Sequence, residues 1–147
     1  MKQVLSVGQM KYLNDLGVNT SDASMILIAT DDDGCMLLWE DAEKAIKHHL
    51  YDVYFNLYYV ESSSYDHSHK KECGVFTLQD ILDKLPCFIG NEVLTMQKLA
   101  DSYTCLYMEP YSRSIIKITE SKELIDAAYD MLCWCIENGY VKVGKKE

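Results

Sequence analysis

The sequence has no long apolar run and no cluster of basic residues. None of its apolar stretches approaches the roughly 18 residues that a membrane-spanning helix needs. The opening segment, MKQVLSVGQM, lacks the apolar core of a signal peptide. Lysine and arginine total 14 against 23 aspartate and glutamate, which gives a net charge of −9. We therefore expect a cytoplasmic protein that binds no membrane and makes no direct contact with the phosphate backbone of nucleic acid.

Cysteine occurs six times, but no two cysteines have the C-x-x-C spacing that is typical of zinc and redox sites. Most of the six lie in apolar stretches, where a free thiol acts as a small core residue. A chain of 147 residues also buries enough surface to fold without a metal or a disulfide. The sequence thus predicts one domain, residues 1–147, with buried free thiols.

Two short segments carry the start signals of helices. Ser6 and Gln9 form a capping box, in which each side chain bonds to the backbone N–H of the other residue. Thr77 and Asp80 approximate the same box, and a following proline stops regular helix. Both segments therefore predict short helices, over residues 6–17 and 77–86.

The longest predicted helix covers residues 121–139 near the end of the chain. Ser121 is a good N-cap, and Gly139 can adopt the left-handed conformation that closes a helix. Apolar residues occupy most of the circumference of this helix, which predicts burial on more than one side. The polar remainder is a narrow ridge of three residues: Asp126, Asp130 and Glu137.

Runs of branched and aromatic residues predict strands. These runs cover residues 24–30, 35–39, 51–60, 92–99, 103–108 and 114–119. The first two make a hairpin and the last three a meander, since strands joined by short turns pair antiparallel. The predicted fold is α+β: a mainly antiparallel sheet, made of hairpin and meander, packs against two or three helices, with the C-terminal helix central to the core.

The polar, serine-rich stretch ESSSYDHSHKKECG, at about residues 61–74, predicts a mobile loop. It holds four side chains of the kinds that bind zinc: Asp66, His67, His69 and Cys73. A structural site needs four converging ligands, which a mobile loop does not guarantee. A metal site, or a thiol-dependent enzyme using Cys73 with one of the histidines, is therefore an alternative. The leading interpretation includes no cofactor.

Tyrosine is abundant, with 11 residues, and tyrosine and tryptophan supply much of the energy of protein interfaces. The leading hypothesis is a non-enzymatic domain that binds another protein or itself, with Trp134, Tyr58 and Tyr107 in the interaction surface. A fully buried Trp134 would instead make the last helix scaffold only. A third hypothesis is an acidic mimic of nucleic acid, which the net charge permits although basic residues are interspersed.

Three blocks of the sequence, covering roughly a third of it, carry a resemblance: MKQVLSVGQMKYLNDLG, FTLQDILDKLP and ELIDAAYDMLCWCIENGYV. Together they resemble a group of small uncharacterised proteins of Bacteroides-type gut bacteria, often encoded among prophage or mobile-element genes. The resemblance implies an accessory role in a cytoplasm. It implies no activity and no binding residues, because the group has none assigned.

Overall fold

The computed structural model describes residues 1–30, 56–61 and 72–144, and of residues 27–30, 56–61, 72 and 73 it describes the backbone alone. Three helices and two antiparallel sheets lie in these ranges, so the fold is α+β as the sequence predicts. The chain divides into two compact units. The first unit is Met1–Thr20 with Phe76–Glu147, and the second is Ser21–Val75. The single domain predicted from the sequence stays a prediction.

The second unit holds a three-stranded antiparallel sheet. Its strands are β1 (Met25–Thr30), β2 (Asn56–Glu61) and β3 (Glu72–Val75), in the order β2-β1-β3. The predicted strands at 24–30 and 51–60 are confirmed where the structure describes them. Residues 31–55 lie outside the described ranges, and with them the predicted second strand of the hairpin.

The boundaries predicted for the polar loop need correction. Its first residue, Glu61, closes β2, and its last three, from Glu72 to Gly74, lie in β3. Cys73 pairs with Leu27 of β1 across the ladder. Polar side chains do not prevent a strand here, because the ladder is made by backbone groups that every non-proline residue carries. Residues 62–71 of the predicted loop lie outside the described ranges.

The first unit holds a four-stranded antiparallel meander. Its strands are β4 (Phe88–Ile89), β5 (Glu92–Lys98), β6 (Tyr103–Met108) and β7 (Ile115–Ser121), which neighbour one another in chain order. The three predicted strands of the meander are confirmed. The two-residue strand β4 is not predicted, because two residues are too short for a periodic signal.

Two short helices of the first unit begin where the sequence predicts. Helix α1 covers Val7–Asp15 and helix α2 covers Leu78–Lys84. In α1 the Ser6 hydroxyl accepts from Gln9 N at 3.1 Å, while the Gln9 side chain accepts from Ser6 N at 2.9 Å. Thr77 and Asp80 make the same reciprocal pair in front of α2. Both capping boxes are confirmed.

The last helix, α3, covers Leu124–Glu137 and starts later than the sequence predicts. Ser121 is not its N-cap but the last residue of β7, where it pairs with Tyr103. Glu123 takes the N-cap position without a side-chain capping bond. Pairing with β6 holds Ser121 in the extended conformation, and this tertiary contact overrides the local capping signal. The stop signal is confirmed, since Gly139 has φ +80°.

Helix α3 packs on β6, β7 and α2 and is central to the core of the first unit, as predicted. Seven of its 14 residues are buried: Ile125, Ala127, Ala128, Met131, Leu132, Cys133 and Cys135. The Thr119 hydroxyl of β7 donates to the Ala127 carbonyl at 2.6 Å, which joins strand to helix. No helix in the described part of the chain is long and apolar enough to cross a membrane.

The N-terminal segment is tied to the start of α3 by a polar network. Lys2 Nζ lies 2.7 Å from Asp126 Oδ1 and donates to Gln9 Oε1 at 2.8 Å. Gln9 Nε2 donates to the same Asp126 oxygen at 2.9 Å, and Lys2 N donates to Glu123 Oε2 at 3.0 Å. This network fixes α1 beside α3, which positions the groove described below.

Candidate functional site

A groove of about 590 Å³ lies beside the polar ridge of α3, between that helix, α1 and β7. We call it the α3 groove. Its lining consists of Tyr12 from α1, of Lys117, Thr119 and Glu120 from β7, and of Tyr129, Asp130, Cys133, Trp134 and Glu137 from α3. The helix residues follow the three- and four-residue spacing that places side chains on one face. The groove is thus built from the exposed stripe of α3 and the two elements beside it.

Trp134 is the largest side chain of the groove, and it is half-buried. Its ring stacks on Tyr140 with the centroids 5.4 Å apart and the planes at 30°. Gly139, in the left-handed conformation, turns the chain after α3 and allows Tyr140 to return to the helix. Trp134 therefore lines the groove while its ring is stacked on Tyr140.

The groove carries three carboxylates and one ammonium group: Glu120, Asp130, Glu137 and Lys117. Glu137 accepts a hydrogen bond from the Tyr12 hydroxyl at 3.0 Å, and Glu120 accepts one from the Ser102 hydroxyl at 2.5 Å. Within the described ranges, neither Asp130 nor Lys117 forms an ion pair. The carboxylates of the groove thus form no ion pair within the described ranges, although Lys117 lies among them.

The electrostatics of Asp130 reflect this lack of an ion pair. The loss of water around its carboxylate, and then the negative charge of Asp126, raise the pKa of Asp130. Asp126 behaves in the opposite way, although it lies only one turn away. Burial opposes its ionisation, but hydrogen bonds from Gln9 and Lys2 and the charge of Lys2 outweigh burial and lower its pKa. A positive group near Asp130 would relieve the unfavourable charge there.

The thiol of the groove is poorly suited to nucleophilic chemistry. Burial raises the pKa of Cys133 to about 11, although a hydrogen bond with Tyr129 lowers it in part. Burial likewise raises the pKa of Cys105 to about 12 and of Cys135 to about 11. The thiolate is the reactive form, and at neutral pH these three thiols are protonated.

The predicted metal ligands are not brought together in the described residues. Asp66, His67 and His69 lie outside the described ranges, and Cys73 lies in β3. No group of three or more histidine, cysteine, aspartate or glutamate side chains in the described ranges could hold a metal ion. A metal site or a thiol-dependent enzyme that uses this cluster stays a prediction.

Of the three aromatic residues predicted for an interaction surface, only Trp134 has a described side chain that reaches the surface. Tyr107 is wholly buried, and its hydroxyl donates to the Pro86 carbonyl at 2.7 Å. This corrects the prediction: β6 is an inner strand beneath α3, so a tyrosine on the face toward that helix is a core residue. Tyr58 pairs with Ile28 in the ladder of β1 and β2, and its side chain is not among those described.

The sequence predicts the face of α3 that lines the groove but not the residues of the other two elements. The polar ridge, with Cys133 and Trp134 at its borders, follows from helical periodicity. Tyr12 and Lys117 belong to other elements, and no local pattern places them beside α3. Their positions depend on how α1 and β7 pack, which the sequence alone does not specify.

No family model matches the chain, and no match is found among curated proteins or among solved structures. Its function is therefore inferred from the chemistry of the α3 groove.

Proposed function

We propose that this protein is a non-enzymatic interaction domain that binds another protein through the α3 groove. The observation that supports this most directly is the half-buried Trp134, held by Tyr140 and flanked by carboxylates. A well-positioned aromatic side chain surrounded by polar groups is the usual anchor of a protein interface. On the resemblance of three sequence blocks, we propose a cytoplasmic setting among phage or mobile-element accessory proteins.

The chemistry of the groove favours binding over catalysis. Its one thiol, Cys133, is buried and has a raised pKa, so it does not supply a thiolate at neutral pH. The groove instead offers two tyrosines, a tryptophan and acidic groups. These are suited to holding a ligand in place.

A peptide-display selection tests the proposal, because it does not require an identified partner. The whole protein, immobilised, selects from a library of random peptides, and the enriched peptides are measured against two variants. Trp134→Leu keeps an apolar side chain but removes the ring, and Phe88→Ala removes an aromatic side chain that is 64% exposed and lies outside the groove. We expect a shared motif whose affinity falls about tenfold or more with Trp134→Leu and is unchanged with Phe88→Ala.

Two controls make the selection decisive. Circular dichroism and thermal unfolding show whether Trp134→Leu keeps its fold, and Trp134→Tyr provides a milder variant with a partial effect. Enriched peptides that bind Trp134→Leu and wild type equally, with both proteins folded, would place the binding surface elsewhere. A selection that yields no shared motif would also count against the proposal.

A further inference from the structure

We propose that the α3 groove recognises a basic segment of its partner, with arginine or lysine side chains lying against Trp134 and the carboxylates of Asp130 and Glu137. This inference rests on the proposed function, that the groove binds protein. It adds the chemical class of the partner, which follows from the charge and shape of the groove.

The first support is the charge balance of the groove. Three carboxylates face one ammonium group, and the carboxylate of Asp130 has no cation in the part of the chain that the structure describes. Asp130 is an exposed residue one turn from Asp126, and a carboxylate with a negative neighbour and no positive one attracts a cation. A guanidinium or ammonium group entering the groove supplies that neighbour, whereas an acidic segment would add to the repulsion.

The second support is the aromatic wall beside these charges. Tryptophan has the strongest attraction for cations among the aromatic side chains, because of the negative potential over its ring. Trp134 lines the groove together with Asp130 and Glu137, and it is stacked on Tyr140, which does not line it. A cationic side chain can thus meet a ring and a carboxylate in the same place. Arginine suits this arrangement best, because its planar group stacks on rings and bonds to carboxylates.

The third support is the spacing of the acidic groups. Asp130 and Glu137 are seven residues apart on α3, which corresponds to about 10 Å along a helix axis. In a polyproline II segment, side chains three residues apart lie on the same side at about 9 Å. Two basic side chains at that spacing can therefore reach both carboxylates, while Lys117 on the β7 wall opposes a cation placed nearer to β7.

Three blocked hexapeptides test the inference by isothermal titration calorimetry with the whole protein. They carry two arginines, two glutamines or two glutamates, in each case three residues apart. We expect the arginine peptide to bind, with an affinity that falls as salt is added, and the other two to bind at least about tenfold more weakly.

Variants that each remove one charge from the groove test whether it attracts a cation. Asp130→Asn removes an attractive charge and weakens binding of the arginine peptide about two- to fivefold, while Lys117→Gln removes a repulsive charge and strengthens it by a similar factor. Neither side chain is in a hydrogen bond or ion pair within the described ranges, so both variants are expected to fold. Asp101→Asn makes the same change of charge as Asp130→Asn at an exposed position outside the groove, and it leaves the affinity unchanged.

The outcomes separate this inference from the proposed function. If the glutamine or glutamate peptide binds as well as the arginine peptide and Trp134→Leu weakens that binding, the basic-segment inference is wrong and the interaction groove stands. If Lys117→Gln weakens binding of the arginine peptide, or Asp130→Asn leaves it unchanged, the assigned placement of the cation is overturned. If no peptide binds and display selection also yields no motif sensitive to Trp134, both proposals fail.

Discussion

Asp126 and Asp130 are two aspartates one turn apart on α3 with opposite electrostatic roles. Asp126 lies 2.7 Å from the Lys2 ammonium and accepts a bond from Gln9, so its charge stabilises the folded chain. Asp130 has no ion pair in the described ranges, and the loss of water and the charge of Asp126 raise its pKa. Asp126 therefore supports the fold, and Asp130 is the one that we propose to contact a ligand.

The matched substitutions Asp126→Asn and Asp130→Asn test this difference in roles. We expect Asp126→Asn to lower the free energy of unfolding at neutral pH by about 1 kcal/mol, because it removes a charge-assisted network that is partly exposed. Asp130→Asn should leave the free energy of unfolding unchanged or raise it slightly. Urea denaturation followed by circular dichroism measures both, and an equal loss in the two variants would contradict the assignment.

Asp126 and Asp130 change the free energy of unfolding in opposite directions as pH changes. The pKa of Asp126 is lower in the folded chain than in the unfolded one, so its contribution is present above the unfolded pKa and is lost as pH falls through the folded pKa. The pKa of Asp130 is higher in the folded chain than in the unfolded one. Its ionisation therefore lowers the free energy of unfolding as pH rises from its unfolded pKa through its folded pKa. The stability gap between the two asparagine variants should therefore shrink on acidification.

At the scale of elements, local signals predict α1 and α2 correctly but not the start of α3. The capping boxes of Ser6 and Thr77 involve residues three positions apart, so the sequence contains the whole interaction. Ser121 carries only a part of such a signal, a capping side chain without an acidic or amide partner three residues later, and it lies in β7 opposite Tyr103, 18 residues earlier in the chain. Short-range patterns are reliable where no distant strand competes for the same backbone groups.

Removing the hydroxyl of Thr77 and of Ser121 tests these two roles. Thr77→Ala deletes a working cap in front of α2 and should cost about 1 kcal/mol, while Thr77→Ser keeps the oxygen and costs much less. Ser121→Ala should cost only a few tenths of a kcal/mol, because the Ser121 hydroxyl only accepts a 3.3 Å bond from Glu123 N and caps no turn. Thermal unfolding ranks the three variants. A loss at Ser121 as large as that at Thr77 would mean that Ser121 is a functional cap after all.

At the scale of the whole molecule, the sequence predicts the α+β class, the meander and the central last helix, because these follow from periodicity and turn signals. It does not predict the burial of Tyr107, which depends on the neighbours of β6, or the contact of Tyr12 with Glu137, residues 125 positions apart. The α3 groove is a product of such long-range contacts, and only its helical stripe is visible in the sequence.

Self-association stays a prediction of the sequence, and one surface of the first unit bears on it. Strand β7 is at an edge of the meander, and its Ile115, Ile116 and Ile118 are 48%, 40% and 48% exposed. Edge strands of this kind can pair with a second chain. Light scattering after size-exclusion chromatography distinguishes a monomer of 16.9 kDa from a dimer.

An NMR titration of the isotope-labelled protein with the two-arginine peptide tests directly whether the α3 groove binds a basic segment. The sequence contains two tryptophans, so the indole region carries two side-chain resonances, and the Trp134→Leu variant identifies which belongs to Trp134. If the α3 groove binds a basic segment, the Trp134 indole resonance and the backbone amides of Asp130 and Glu137 move together and saturate with one affinity. If these resonances stay in place while others move, or if none moves, the α3 groove does not bind a basic segment.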